Sequence, residues 1–270
     1  MSDDMNTPDD LARGERADPA STPPALTAKD FAANLAAVRA RIDAACRRSG
    51  RDPSQVELLP VSKTVPAERL RLAYQAGMRK LGENKVQEAR EKAAELAALP
   101  GLKWAVIGNL QTNKAKYVAR FAHEFHALDR LKVAEELDRR LQQEGRALDV
   151  FVQVNSSGEK SKFGLAPADV PAFAQELPHY PSLRVRGLMT LALFSSDLER
   201  VRRCFVIMRE LRERLRQEAP AGVSFDDLSM GMSGDFEEAI AEGATVVRVG
   251  QSIFGARALP DSHYWPGGTS

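Results

Sequence analysis

Three observations predict an α/β fold, a single (β/α)8 TIM-type barrel with an added N-terminal helix. Short apolar or half-apolar runs recur near 56–61, 79–83, 103–107, 124–128, 148–154, 183–189, 226–230 and 245–249. Helical periodicity separates most of them, at 67–76, 85–98, 113–121, 130–144, 168–177, 198–217 and 235–242. The connections are short, so the alternation argues for a parallel sheet, and eight units allow that sheet to close on itself. An open doubly wound sheet is the alternative, because Pro60 falls inside the first strand and the second and seventh strands are short. Against it, no G-x-G-x-x-G follows the first strand and no second domain is left to complete a cleft.

Ahead of the first strand, Phe31, Leu35, Val38, Ile42 and Cys46 mark the added helix, which Thr27 caps and Gly50 stops. Residues 1–26 are rich in Asp, Pro, Ala, Thr and Ser with almost no large apolar side chains, so they are expected to form a disordered extension. Residues 27–259 are then the barrel domain. Residues 260–270 form a C-terminal tail rich in Pro and Gly, with Tyr264 and Trp265 as candidates for docking onto the body.

Composition narrows the partners. The chain of 270 residues is 28% charged and 43% hydrophobic with a net charge of +1, and no basic cluster is interleaved with aromatics. Neither nucleic acid nor an anionic membrane is expected as a partner. No run approaches the roughly 20 apolar residues of a membrane span. The opening MSDDMNTPDD lacks the hydrophobic segment of a secretion signal, which makes the expected location cytoplasmic. Cys46 and Cys204 lie in separate helical patterns and read as thiols in a reducing compartment. His123, His126, His179 and His263 show no ligand spacing with carboxylates or cysteines, so no metal site is expected.

The candidate site gathers at strand ends. Lys63 follows the run VELLPV, and Pro66 opens the next helix, so Lys63 stands at the C-terminal edge where β/α proteins build their sites. A lysine held there among apolar neighbours can act as a nucleophilic amine and form Schiff bases with aldehydes. An unperturbed lysine is neutral in roughly one molecule in 2,500 at pH 7, so that chemistry needs desolvation or nearby positive charge. The seventh strand ends in SMGMSGD and the eighth in GQSIFG. Glycines there let backbone N–H groups approach phosphate oxygens, and Ser233 and Ser252 add hydroxyls. Arg248 shares a strand face with Val246 and Gly250. A buried guanidinium at that position pairs either with Glu57 or Glu83, or with a ring nitrogen of a bound heterocycle. A phosphate cradle, a ring contact and a Schiff-base lysine together describe pyridoxal 5′-phosphate.

The blocks LLPVSKT, LGENKVQEA, IGNLQTNK, VNSSGEKSKFGL, RGLMTL, LSMGMSGDFEEAI and VRVGQSIFGAR, in that order, resemble the YggS/PROSC family of pyridoxal-phosphate-binding proteins, the PLP homeostasis proteins. The resemblance runs from about residue 30 to Arg257. It implies a barrel like the N-terminal domain of alanine racemase, with the cofactor held as a Schiff base on Lys63. Ser233, Gly250 and Ser252 fall on the family's phosphate loops, Arg248 on the arginine facing the pyridine nitrogen, and Asn84 and Met189 on blocks that line the pocket. One departure is in the third strand, where Ala105 and Val106 stand in a stretch that commonly carries a histidine.

The expected function is to bind, buffer and deliver pyridoxal phosphate, with apo PLP-dependent enzymes as acceptors and a monomer as the working form. Arginine donates to the ring nitrogen without protonating it, which disfavours broad aminotransferase chemistry. A low-activity amino-acid racemase is the alternative. It needs an acid/base group on each face of the ring, and Tyr74, Tyr117 and Tyr180 fall in helical or helix-end segments that do not support such placement. Ser157 and Lys160 match S-x-x-K without its companion motifs and read as a solvated turn. Lys162 is a candidate for transient acceptance of the cofactor.

Overall fold

Eight parallel strands with helices between them form the barrel that the alternation predicts. The computed structural model describes residues 22–255. Most of the expected extension, the expected tail with Tyr264 and Trp265, and His263 lie outside the described residues. Helix α1 (Ala28–Arg48) precedes β1 (Glu57–Pro60), α2 (Ala67–Gln75), β2 (Lys80–Glu83), α3 (Val86–Glu95), β3 (Lys103–Val106) and α4 (Ala115–Phe121). The alternation continues with β4 (Glu124–Leu128), α5 (Leu131–Gln143), β5 (Leu148–Gln153), α6 (Val170–Glu176), β6 (Leu183–Met189) and α7 (Leu198–Glu218). It ends with β7 (Asp227–Ser229), α8 (Phe236–Ala241), β8 (Val246–Val249) and α9 (Gln251–Phe254). The four-residue α9 is too short to show periodicity, and the expected helix at 113 opens as a 3-10 turn, Thr112–Lys114.

The strands run in the order β1-β8-β7-β6-β5-β4-β3-β2. The ring closes through a bridge between Val61 and Gly82, where the Ser62 N–H donates to the Gly82 carbonyl at 2.9 Å. Pro60 explains why this seam is short. The N–H groups of Glu57 and Val61 donate toward β8, so the alternate position 60 faces β2, where proline has no donor. The missing bond falls on the seam and leaves the β1–β8 ladder intact.

Side chains alternate between the two faces of each strand. In β4, Glu124 and His126 share a face, and His126 lies 3.0 Å from Ser229 of the non-adjacent β7, a contact that crosses the barrel interior. Phe125 and Ala127 occupy the other face and are buried. Helix α1 lies against α8 and α9 rather than within the alternation. Thr27 and Asp30 close a capping box at its start, and Phe31, Leu35, Val38, Ile42, Ala45 and Cys46 form its buried face. The Phe31 ring meets Phe254 edge-on at 5.6 Å, and Asn34 Nδ2 donates to the Ile253 carbonyl at 3.0 Å. The added helix therefore braces the segment that follows β8. Among the described residues no helix is long and apolar enough to cross a membrane.

Candidate cofactor site

Lys63 stands two residues past the bridge that closes the barrel and is half-buried. Val61 N–H donates to the Val249 carbonyl at 2.8 Å, and Ser62 N–H bonds to β2, so the Lys63 turn is held between the ends of β8 and β2. Thr64 follows with φ of 67°, a left-handed conformation that is a true outlier for a β-branched residue. Its N–H donates to Glu88 Oε1 at 2.8 Å.

The loops after β7 and β8 close on the same end of the barrel. A Cβ at Gly250 would lie 3.1 Å from the Val61 carbonyl oxygen, so the end of β8 approaches β1 within two residues of Lys63. Gly250 N–H donates to Ser233 Oγ at 3.3 Å, which joins the two loops. Gly231 has φ of 93°, and a Cβ there would sit 2.7 Å from Ala239 Cβ and 2.8 Å from Phe236 Cα. The β7 loop can turn against α8 only with glycine at that position. Ser252 Oγ, at the start of α9, is buried without a hydrogen-bond partner. A buried hydroxyl is costly to leave unpaired, and a phosphate oxygen would satisfy it. The residues present fit a phosphorylated ligand.

Arg248 corrects one expectation. Neither Glu57 nor Glu83 pairs with it: Lys80 meets Glu57 at 2.6 Å, and Lys92 meets Glu83 at 2.7 Å. Arg248 Nη1 instead donates to Ser229 Oγ at 2.8 Å and Nη2 to the Thr190 carbonyl at 2.6 Å. Burial pushes the guanidinium down to about 10, against the pull of Asp235, so it stays charged at neutral pH. Burial likewise pushes His126 below its ordinary range, with Glu124 opposing and Arg248 and Lys80 adding to the effect. The neutral ring has Nε2 at 2.9 Å from Glu124 Oε2 and Nδ1 at 3.0 Å from Ser229 Oγ. A carboxylate only accepts, so Nε2 carries the proton and Nδ1 accepts from the Ser229 hydroxyl. Burial alone would raise the Glu124 carboxyl, but His126 and Lys80 outweigh it and hold it at about 2.

Met189 is fully buried and in register with Gln153 and Ser229, on the same strand level as the arginine's partner. Asn84 follows directly on β2 and is half-buried. Lys162 Nζ donates to the Ala192 carbonyl at 2.9 Å and pairs with Glu159, tying the loops after β5 and β6 together. Ser157 and Gly158 both bond to Asn155 Oδ1 at 3.1 Å, the solvated turn expected of S-x-x-K. Tyr74 donates to the Pro100 carbonyl at 2.8 Å, and Arg90 lies 4.6 Å over the Tyr117 ring, so both tyrosines are engaged on helices outside the barrel. Sequence reasoning missed Thr190, Ser229, Glu124 and His126. The period-two pairing of Glu124 with His126 was the signal available for two of them.

The opposite, N-terminal mouth of the barrel holds a cavity of about 580 Å³ lined by Glu57, Lys80, Lys103, Glu124, Asp149, Arg186 and Asp227 among others. Several of its charges pair with one another: Lys80 bridges Glu57 and Glu124, and Arg186 reaches Asp227 at 3.5 Å.

Comparison with known proteins follows the same lines. The profile of the alanine racemase N-terminal domain family matches residues 33–258. The chain is 46% identical over 227 residues to a pyridoxal phosphate homeostasis protein of Pseudomonas aeruginosa, covering 84% of this chain and 96% of that protein. It is 42% identical over 230 residues to the protein of that name from Escherichia coli K12, covering 84% and 97%. PipY of Synechococcus elongatus PCC7942, solved with PLP bound, superposes with a TM-score of 0.71 at 38% identity, covering 83% of this chain and all, 100%, of that one. An alanine racemase of Streptomyces lavendulae shares the fold alone, with a TM-score of 0.64 at 18% identity, covering 87% of this chain and 59% of that one.

Proposed function

Since the chain belongs to the pyridoxal phosphate homeostasis proteins, built on the alanine racemase N-terminal domain, we propose that it binds pyridoxal 5′-phosphate, holds it covalently on Lys63, and releases it to other amines. The observation that carries this reading is convergence: Lys63, the Ser233–Gly250 loop pair and the unpartnered Ser252 hydroxyl meet at one end of the barrel, above the buried Arg248. Bound pyridoxal phosphate supplies an aldehyde that condenses reversibly with primary amines and releases water.

Each residue has a role in that account. Lys63 supplies the amine. Ser233, Ser252 and the Gly250 backbone bind the phosphate, and Asn84 and Met189 line the pocket. Arg248, oriented by Ser229 and Thr190, would face the ring nitrogen as a donor that keeps its own proton. An arginine that does not give up its proton would leave the ring nitrogen unprotonated, which favours holding over catalysis. Tyr74 and Tyr117 are committed elsewhere, so neither supplies an opposing acid for racemisation. The working form is proposed to be a cytoplasmic monomer that serves apo PLP-dependent enzymes.

Loaded protein should reactivate an apo PLP-dependent enzyme in a mixing assay. Incubated with alanine in heavy water, it should leave the α-proton unexchanged on the enzymatic timescale. Exchange at typical enzymatic turnover, roughly 1 per second or faster, would overturn the carrier reading in favour of a racemase.

A further inference from the structure

We propose that Glu83 and Lys92 are positioning residues for the Lys63 amine, forming a buried ion cluster that sets the backbone of the Ser62-Lys63-Thr64 turn from behind. The inference rests on the reading of Lys63 as the cofactor amine. Glu83 Oε1 accepts from Ser62 Oγ at 2.6 Å and from Lys92 Nζ at 2.7 Å. Lys92 Nζ also donates to the Ser62 carbonyl at 2.9 Å and to Glu88 Oε1 at 2.6 Å. Glu88 Oε1 in turn accepts the Thr64 N–H at 2.8 Å. The residues on both sides of Lys63 are therefore fastened to one ammonium and two carboxylates.

Two features separate this cluster from ordinary structural ion pairs. Glu83 is fully buried, yet its Oε2 has no hydrogen-bond partner, so the arrangement carries a desolvation cost that a purely stabilising contact would avoid. Thr64 is also held in a left-handed conformation, which persists only where the surroundings over-determine it. The strain falls on the segment that carries Lys63 and the desolvation cost on the carboxylate bonded to its neighbour Ser62, as expected where geometry at that amine is what the cluster maintains.

The groups acting on Glu83 are Lys92 and Glu88 of α3 and Ser62 at the end of β1. Burial pushes its carboxyl up to about 7, with Lys92 and Ser62 opposing and Glu88 adding to the rise. Its proton therefore exchanges near neutral pH, which gives the test a readout that a scaffold role would not move.

The test uses full-length apoprotein of the wild type, Glu83→Gln, Lys92→Met and Lys92→Arg. Lys63 is labelled with pyridoxal 5′-phosphate, reduced with borohydride and quantified by peptide mass spectrometry between about pH 5.5 and about pH 8.5. The wild-type rate should change slope near pH 7, in step with Glu83, and Glu83→Gln should remove that inflection. Lys92→Met should slow Lys63 labelling about tenfold while surface lysines label unchanged, and Lys92→Arg should recover most of the rate. Glu83→Gln keeps the shape of the side chain, so it carries the test alone if Lys92→Met fails to fold. Wild-type rate and pH profile in Glu83→Gln would overturn the inference. Absence of a Lys63 adduct in the wild type would instead overturn the cofactor reading on which it rests.

Discussion

Arg248 commits two of its five N–H donors to Ser229 and Thr190, so the barrel itself fixes how the guanidinium is aimed. Replacing it with methionine leaves the Thr190 carbonyl without this donor in the barrel interior. Chemical denaturation should record a loss of about 1–3 kcal/mol, the range for leaving a buried polar group unpaired. Ser252 predicts the opposite pattern. Its hydroxyl has no protein partner, so Ser252→Ala should change apoprotein stability by less than about 0.5 kcal/mol while weakening pyridoxal phosphate binding about tenfold in an absorbance titration. The placement of Lys63, Ser233, Arg248, Gly250 and Ser252 at the C-terminal ends of strands was legible in the sequence because strand ends and period-two faces can be read locally. The partners of Arg248 were not, since Ser229 and Thr190 reach it across strand pairings that no local pattern reveals. Lys92 was invisible for a different reason: on a helix a lysine reads as solvated, and burial among carboxylates is the exception.

At the scale of elements, α1 and the β2–α3 corner each support part of the site. Helix α1 was recognised from its apolar spacing and its Thr27 cap, but not its role, because α9 is too short to signal itself. Phe31 is fully buried and packs on Phe254 of α9, so Phe31→Ala should cost about 3–5 kcal/mol and loosen the segment that presents Ser252. Thermal unfolding measures the first effect, and hydrogen exchange at α9 the second. The β2–α3 corner should make stability depend on pH. Glu83 is raised from 4.5 to about 7, so the protonated form favours the folded state. Its contribution is full below pH 4.5 and is lost as pH rises through about 7. A shift of that size corresponds to about 3 kcal/mol, and Glu83→Gln should flatten this part of the stability profile in urea titrations run across the window. Glu124 works in the other direction. Held at about 2 by His126 and Lys80 against its burial, it contributes stability above pH 4.5 that is lost as pH falls toward 2.

At the scale of the whole molecule, the barrel divides its labour between two mouths. The N-terminal mouth is lined by charged side chains, several of them paired with one another, whereas the C-terminal end carries a buried hydroxyl with no protein partner and a guanidinium oriented by Ser229 and Thr190. The closed sheet follows from the eight-fold alternation, and the apparent obstacle, Pro60, falls on the one seam where a missing donor costs little. The measurement that bears most directly on the whole account is the visible absorbance of purified protein with pyridoxal 5′-phosphate, before and after Lys63→Ala. The account predicts an absorbance band of covalently held cofactor in the wild type and its loss in Lys63→Ala. A band of equal strength in the variant would contradict it.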